Sequence, residues 1–284
     1  MPTFATPRAI AAVIDMPAGR IEIRAADRTD TVVDVRPTDP GSDADVQAVD
    51  QVRVDLSDGR LSVTAPKSRF RSLFRRPPSV DVTLDLPTDS RVDVSGWADI
   101  RTDGRLGDST FDTAAGTVRI AETGRLKLRT AAGDVSVARA VGHADVITAS
   151  GKVRIGEIDG TAVVKTSNGD ITLGEVTGDV RLNTANGDID VDRALATVAA
   201  KTAYGSIRVG EVVRGAVVLE TSFGELEVGV RTGTAAWLDL QSGYGTVRSL
   251  LDATDEPAPS DDTVEVRART GYGDIVIRRA EPAT

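Results

Sequence analysis

The sequence contains no cysteine and only one histidine among its 284 residues. The lack of cysteine excludes disulfide bridges, thiolate metal sites and cysteine nucleophiles, and it fits a reducing compartment. The single histidine, His143, follows Gly142 at a turn, and no serine or aspartate spacing marks it as a base. Phosphate loops, metal-ligand clusters and nucleophile elbows are missing as well. We therefore expect a non-enzymatic protein with no catalytic residue, no cofactor and no bound metal.

Long apolar runs and aromatic side chains are also scarce. No run approaches the roughly eighteen apolar residues that a membrane span needs, and the apolar run at residues 10–14 is too short for a signal peptide. A net charge of −9 opposes binding to nucleic acid and to anionic membranes. We therefore expect a soluble, cytoplasmic protein. Aromatic residues make up only 4% of the chain, which favours many short strands around small cores.

What the sequence does contain is a repeat. Its unit is Thr-x-x-Gly-x-(Ile/Val)-x-(apolar), and it recurs at intervals of 17 to 21 residues, with a last interval of 28. The repeat glycines are Gly116, Gly133, Gly151, Gly169, Gly187, Gly205, Gly224, Gly245 and Gly273. A second short strand precedes each Thr, and both strands of a unit carry their apolar residues on one side. A unit this small buries its apolar face only by stacking against its neighbours.

The repeat predicts an all-β fold, a parallel β-solenoid (β-helix) of about nine 18-residue coils. The alternative is an antiparallel meander of hairpins, because Asn168-Gly169 and Asn186-Gly187 suit tight type I′ turns. Later copies place Tyr or Phe before the glycine, and bulky residues disfavour the positive φ that such a turn requires. In the solenoid, the Thr hydroxyls are expected at buried corners, bonded to a turn amide or to the next hydroxyl.

From the start to about residue 90 the strands are irregularly spaced and include 31–35, 51–56 and 80–86, and a further strand at 91–94 follows them. We interpret residues 1–90 as an N-terminal β-strand cap with a basic loop at 66–78. Residues 91–280 form the repeat region, which is expected to continue the cap as one elongated domain. Residues 252–262 are an acidic, proline-broken insertion, and residues 281–284 are a polar tail.

The basic loop is one candidate docking surface. Its cations alternate with apolar side chains: Lys67, Arg69, Phe70, Arg71, Phe74, Arg75 and Arg76. Such a loop can dock on an acidic partner, a phosphate-rich surface or a membrane. It can equally be a solvated hairpin loop closed by Pro77 and Pro78.

Two repeat positions next to the glycines suggest binding. The residue before glycine changes from Ala, Ser or Asn to an aromatic ring in the last four copies: Tyr204, Phe223, Tyr244 and Tyr272. Stacked rings at a corner can bind a sugar or a protein, or they can simply seal the coils by packing on each other. The residue after glycine includes Asp170 and Asp188, which could share Ca²⁺ or bond to the local backbone.

The nine copies, preceded by a Gly-Arg-Ile-Glu-Ile strand at residues 19–23, resemble a family of bacterial adhesin-like β-strand-repeat proteins of unknown function. The resemblance covers nearly the whole chain, and it implies the fold without implying catalytic residues. Our main hypothesis is a β-solenoid scaffold that binds an unidentified protein or glycan. A cell-envelope adhesin and a carbohydrate-active enzyme on a β-helix are the alternatives.

Overall fold

A computed structural model describes residues 1–65, 78–252 and 262–280. The chain divides between Arg139 and Ala140 into two compact units, and each is described by itself. Residues 66–77 of the basic loop, most of the acidic insertion and the tail at 281–284 lie outside the described residues. The boundary near residue 90 that the sequence suggests stays a prediction.

The first unit combines parallel and antiparallel strands with one described helix. Its elements are β1 (Thr3–Ala5), β2 (Ala11–Ala26), β3 (Asp30–Pro37), α1 (Asp43–Gln51), β4 (Arg53–Ser57), β5 (Arg60–Thr64), β6 (Val80–Pro87), β7 (Arg91–Leu106), β8 (Ser109–Ala115), β9 (Val118–Thr123) and β10 (Leu126–Ala132). Strand β11 (Val135–Val141) carries the boundary between the units.

Strand β2 organises the first unit. It runs parallel to β5, β6 and β7, and β7 continues the parallel stack through β8 and β9. The alternation in β2 buries Ile14, Ile21 and Ile23 completely. The antiparallel pairs β1–β3, β3–β6 and β4–β5 are the irregular part of this unit.

Helix α1 is a feature that the sequence analysis missed. The Ser42 hydroxyl caps it by accepting a hydrogen bond from the Asp45 backbone N–H, and Asp43 adds a second acidic residue to its first turn. The buried Asp45 carboxylate accepts hydrogen bonds from the backbone N–H groups of Asp39 and Ser79. The strand expected at 51–56 therefore begins only at Arg53, after the helix has ended.

The second unit is a regular stack of strand pairs. After β11 come β12 (Ala144–Ser150), β13 (Val153–Asp159), β14 (Ala162–Lys165), β15 (Ile171–Val176), β16 (Val180–Asn183), β17 (Ile189–Ala194), β18 (Val198–Lys201), β19 (Ile207–Val212), β20 (Gly215–Phe223), β21 (Leu226–Val230), β22 (Ala235–Tyr244), β23 (Val247–Ser249), β24 (Thr263–Tyr272) and β25 (Ile275–Arg279). The even-numbered strands pair in parallel with each other, and so do the odd-numbered ones.

The parallel registers place equal repeat positions side by side. Ile171 pairs with Ile189, and Ile189 pairs with Ile207, and all three side chains are buried. Each coil therefore extends the apolar core of its neighbour by one layer. The predicted fold class, an all-β parallel β-solenoid, is confirmed, and the antiparallel meander is wrong for the repeats.

The last coils do not stack in chain order. Strand β24 lies between β20 and β22, and β25 lies between β21 and β23. The final coil of the chain, β24 and β25, is therefore inserted between the two coils that precede it in the sequence. Residues 231–234 connect β21 to β22 and pass over the position that the final coil fills. These residues make a tight turn in which the Thr234 N–H donates to the Arg231 carbonyl oxygen (3.1 Å).

The corners show why the repeat needs its particular residues. Gly205 has φ +147°, and a Cβ added there would overlap the Gly187 carbonyl oxygen. The Thr202 hydroxyl donates to the same carbonyl oxygen (3.1 Å), and Asp188 Oδ1 accepts from the Ser206 N–H (2.8 Å). The hydroxyls of Thr184, Thr202 and Thr221 thus donate to a carbonyl of the neighbouring coil, where the sequence predicted a turn amide or the next hydroxyl. In the earlier coils the hydroxyl donates to a carbonyl of its own turn, and the expected bond to a backbone amide occurs at Thr113, which accepts the Ala98 N–H (3.3 Å).

The corner contact predicts a large effect of one methyl group. Gly205→Ala should lower the free energy of unfolding by about 3 kcal/mol, because the backbone must move away from the neighbouring coil. Gly233→Ala is the matched control, since Gly233 has φ +85° but no heavy atom within 4 Å of an added Cβ. Its loss should be nearer to about 1 kcal/mol. Urea unfolding of both variants measures the difference, and equal losses would contradict the corner contact.

Candidate functional site

The four aromatic residues form one stacked column in the second unit. Strands β20, β24 and β22 end at Phe223, Tyr272 and Tyr244, and Tyr204 bridges to Phe223. Ring centroids lie 5.1 Å apart for Tyr204–Phe223, 4.9 Å for Phe223–Tyr272 and 4.7 Å for Tyr272–Tyr244. Adjacent ring planes differ by at most 8°. We call this column, in the order Tyr204, Phe223, Tyr272, Tyr244, the aromatic ladder.

The aromatic ladder is exposed, but both faces of its two inner rings are covered by neighbouring rings. Its members keep between 43% and 69% of their surface accessible. Because each inner ring is stacked on both sides, Phe223 and Tyr272 present edges to solvent, whereas Tyr244 lacks a second ring neighbour among the described residues. The same corner carries Asn168 and Asn186 in earlier coils, where the Asn186 amide donates to the Asn168 carbonyl oxygen (2.9 Å).

A groove of about 520 Å³ lies beside the aromatic ladder. Ser222, Gly271 and Gly243 line it, and each directly precedes a ladder residue in the chain. One wall carries charges of both signs: Lys201, Glu220 and Arg269. Lys201 pairs with Glu220 at 2.9 Å, and Arg269 lies 3.6 Å from Asp239. We call this feature the corner groove.

The aspartates that follow the corner glycines accept hydrogen bonds from backbone N–H groups of the neighbouring coil. Asp170 lies 3.0 Å from Lys152 and accepts the Asp188 N–H, and the hydrogen bond from Lys152 lowers the pKa of Asp170. Asp190, on the sheet surface, differs because burial raises its pKa. Within residues 1–65, 78–252 and 262–280, no group of three or more metal-ligating side chains could hold an ion.

Trp97 in the first unit is a second exposed aromatic site, and the sequence analysis missed it. Trp97 is 60% exposed and borders two cavities of about 370 and 380 Å³. Asp15, Ser95 and Asp112 also line the first cavity, and the Ser95 hydroxyl donates to Asp15 at 3.0 Å. The sequence does contain a signal for it: Ala98 and Ile100 alternate with polar residues and face the core, so Trp97 must face outward in strand β7.

A polar groove over β2, β3 and β6 bears on the enzyme alternative. It brings together carboxylates and arginines, including Glu22, Asp34, Arg24 and Arg36. Arg24 pairs with Glu22 at 2.8 Å, and Arg36 pairs with Asp34 at 2.6 Å. Each carboxylate is thus paired with a cation on the outer face of the sheet, which is typical of a surface ion-pair network.

Two further features were singled out in the sequence, His143 and the basic loop. The exposed His143 ring bonds through Nδ1 to the Thr161 hydroxyl at 2.8 Å. The candidate cations and phenylalanines of the basic loop fall within residues 66–77, outside the described residues, so their docking role stays a prediction.

No described helix is long and apolar enough to cross a bilayer.

No curated protein matches the chain. Solved structures that resemble it include a candidate adhesin from Bacteroides fragilis, with 15% identity over 97% of this chain and 95% of that one and a TM-score of 0.39. A candidate lipid-binding protein from Parabacteroides distasonis has 12% identity over 99% and 96%, with a TM-score of 0.46.

A candidate adhesin from Parabacteroides merdae has 11% identity over 99% of this chain and 95% of that one, with a TM-score of 0.37. Structural overlaps this weak carry no argument about what the present chain binds. The sequence profile of a family is more informative, because the Toastrack DUF4097 profile matches residues 12–281. The match spans both units, so the chain belongs to the Toastrack DUF4097 family.

Proposed function

We propose that the chain is a non-enzymatic β-solenoid scaffold that binds a protein partner along the aromatic ladder. The observation that carries this proposal is a row of exposed rings in which Phe223 and Tyr272 have both faces covered and present only their edges. Exposed aromatic clusters of this size are typical of interaction surfaces, where Tyr is enriched. The cytoplasmic location expected from the sequence is part of this proposal.

The geometry favours a protein over a glycan at the aromatic ladder. Sugar rings pack on the faces of aromatic side chains, and the faces of Phe223 and Tyr272 are covered by neighbouring rings. Ring edges and tyrosine hydroxyls instead suit the apolar and polar side chains of a polypeptide. Large rigid rings also provide contact area at low cost in conformational entropy.

The corner groove supplies polar complementarity beside this apolar ridge. Its wall presents Lys201, Glu220 and Arg269 in alternating sign, so the groove attracts a ligand with mixed charges and not a polyanion. Ser222 adds a hydroxyl, and Gln241 adds an amide that can bond to a peptide backbone. We therefore propose that the partner lays an extended segment in the corner groove.

The aromatic ladder can be tested by capture from native lysate. Tyr204→Ala combined with Phe223→Ala should reduce the amount of captured partner at least about tenfold, because truncated aromatic anchors dominate interface losses. Asn168→Ala combined with Asn186→Ala is the matched control, since it truncates the same corner in earlier coils. The control should capture as much partner as the unmodified chain, measured by quantitative mass spectrometry.

Thermal unfolding distinguishes a partner-binding role of the aromatic ladder from a role in sealing the coils. The double aromatic variant should lose only the stacking contribution, about 1–2 kcal/mol, so it stays folded at the capture temperature. Undiminished capture by this folded variant would contradict the proposal. A much larger loss of stability, with no partner captured by the unmodified chain, would assign the rings to sealing the coils.

Glycan binding is a second candidate function, and Trp97 is the observation that favours it. Its indole is exposed beside the Ser95 hydroxyl and the Asp112 carboxylate. An indole face packs against the C–H groups of a sugar, while the neighbouring oxygens bond to its hydroxyls. This function would place an adhesin-like activity in the first unit.

Trp97→Ala should abolish glycan binding on an array of bacterial polysaccharides, whereas Trp97→Phe should retain part of it because a ring face remains. Trp237→Ala is the matched control, because Trp237 is the other tryptophan of the chain and is also exposed. It should bind like the unmodified chain. The glycan function fails if the unmodified chain binds no polysaccharide or if Trp97→Ala binds equally well.

A further inference from the structure

The second unit ends in a coil that has a described neighbouring coil on one side only. Strand β22 pairs with β24 and β23 pairs with β25, and within the described ranges neither has a neighbour on its other edge. Strand β22 is ten residues long, so it presents a row of backbone N–H and C=O groups that have no strand partner among the residues that the structure describes. Such an edge is a template for pairing with another strand.

The inner face of this end coil is apolar and incompletely covered. Leu238 pairs with Val266, and Leu240 pairs with Ala268, but only the β24 partners are fully buried. Both leucines remain half-buried. The same coil also exposes Trp237, Tyr244, Val247 and Leu250, which are four of the eleven large exposed hydrophobic side chains in the described part of the chain. In stacked folds, a polar capping repeat normally covers such an end.

We propose that a second copy of this chain docks on the end coil, with β22 pairing antiparallel to its counterpart about a two-fold axis. The two sheets then become continuous, and the leucines of one copy cover those of the other. The proposal goes beyond the protein-binding function and does not depend on it.

The charge of the end coil does not oppose a second copy as the occupant. The chain carries a net charge of −9, which opposes self-association over most of its surface. The end coil is different, because residues 231–252 contain two arginines and two aspartates: Arg231, Asp239, Arg248 and Asp252. Two copies that meet at this coil therefore bring together no net charge.

The sequence of β22 is also self-complementary in one register. When Leu240 pairs with Leu240 of the second copy, Asp239 faces Gln241 of the second copy, and Trp237 faces its Gly243. A carboxylate opposite an amide can form hydrogen bonds, and an aromatic ring covers a cross-strand glycine well. The register centred on Asp239 would instead oppose two carboxylates, and any odd shift would turn the leucines outward.

Multi-angle light scattering on the full chain at about 100 µM tests the proposal. One chain has a mass of 29.8 kDa, and the unmodified protein should have twice that mass. Gln241→Asp places two like-charge pairs in the interface and should weaken dimerisation about tenfold, with partial recovery at high salt. Gln241→Lys should strengthen it several-fold, because Lys faces Asp239.

Gln47→Asp is the matched control, since it makes the same chemical change at an exposed site on helix α1 in the first unit. It should dimerise like the unmodified chain. A monomeric unmodified chain would overturn the proposal. A dimer that responds equally to Gln241→Asp, Gln241→Lys and Gln47→Asp would overturn it too, because pairing would then use another surface.

Discussion

The close approach of backbones at the corner glycines is the constraint on which the second unit depends. At Gly205, no side chain fits between the corner and the Gly187 carbonyl oxygen of the neighbouring coil. The absence of a Cβ lets the coils approach to one strand spacing, and the Thr202 hydroxyl and the Asp188 carboxylate then bond across the gap. The repeat motif is therefore a set of three residues that fix one coil on the next.

The same constraint determines the properties of the binding surfaces. Since the corners repeat at one strand spacing, rings placed before successive glycines stack at 4.7–5.1 Å with nearly parallel planes. The faces of the two inner rings are thus used within the aromatic ladder, and their edges remain for a partner. The stacking also leaves an end coil whose leucines and strand edges lack a described neighbour, so the fold that creates the scaffold creates a site for self-association.

The sequence predicted the coils well because their signal is periodic. It also predicted that Tyr204, Phe223, Tyr244 and Tyr272 share a corner, but not that Phe223 stacks on Tyr272, since periodicity does not determine which slot a coil occupies. Helix α1 was missed in a region interpreted as strands, although Ser42 and Asp45 form an N-terminal cap. Trp97 was missed because it stands outside the repeat columns, where only its outward position in β7 identifies it.

The order of the last coils tests the account most directly, and disulfide formation can measure it because the chain has no cysteine of its own. Glu220 pairs with Arg269, and Arg269 pairs with Gln241, so Glu220 and Gln241 lie two strand spacings apart. Glu220→Cys with Arg269→Cys should form an intramolecular disulfide, which requires Cα atoms within about 7 Å. Glu220→Cys with Gln241→Cys should stay reduced under the same mild oxidation. A disulfide in the second pair and none in the first would show that the coils stack in chain order, which would contradict the structure of the aromatic ladder and of the end coil.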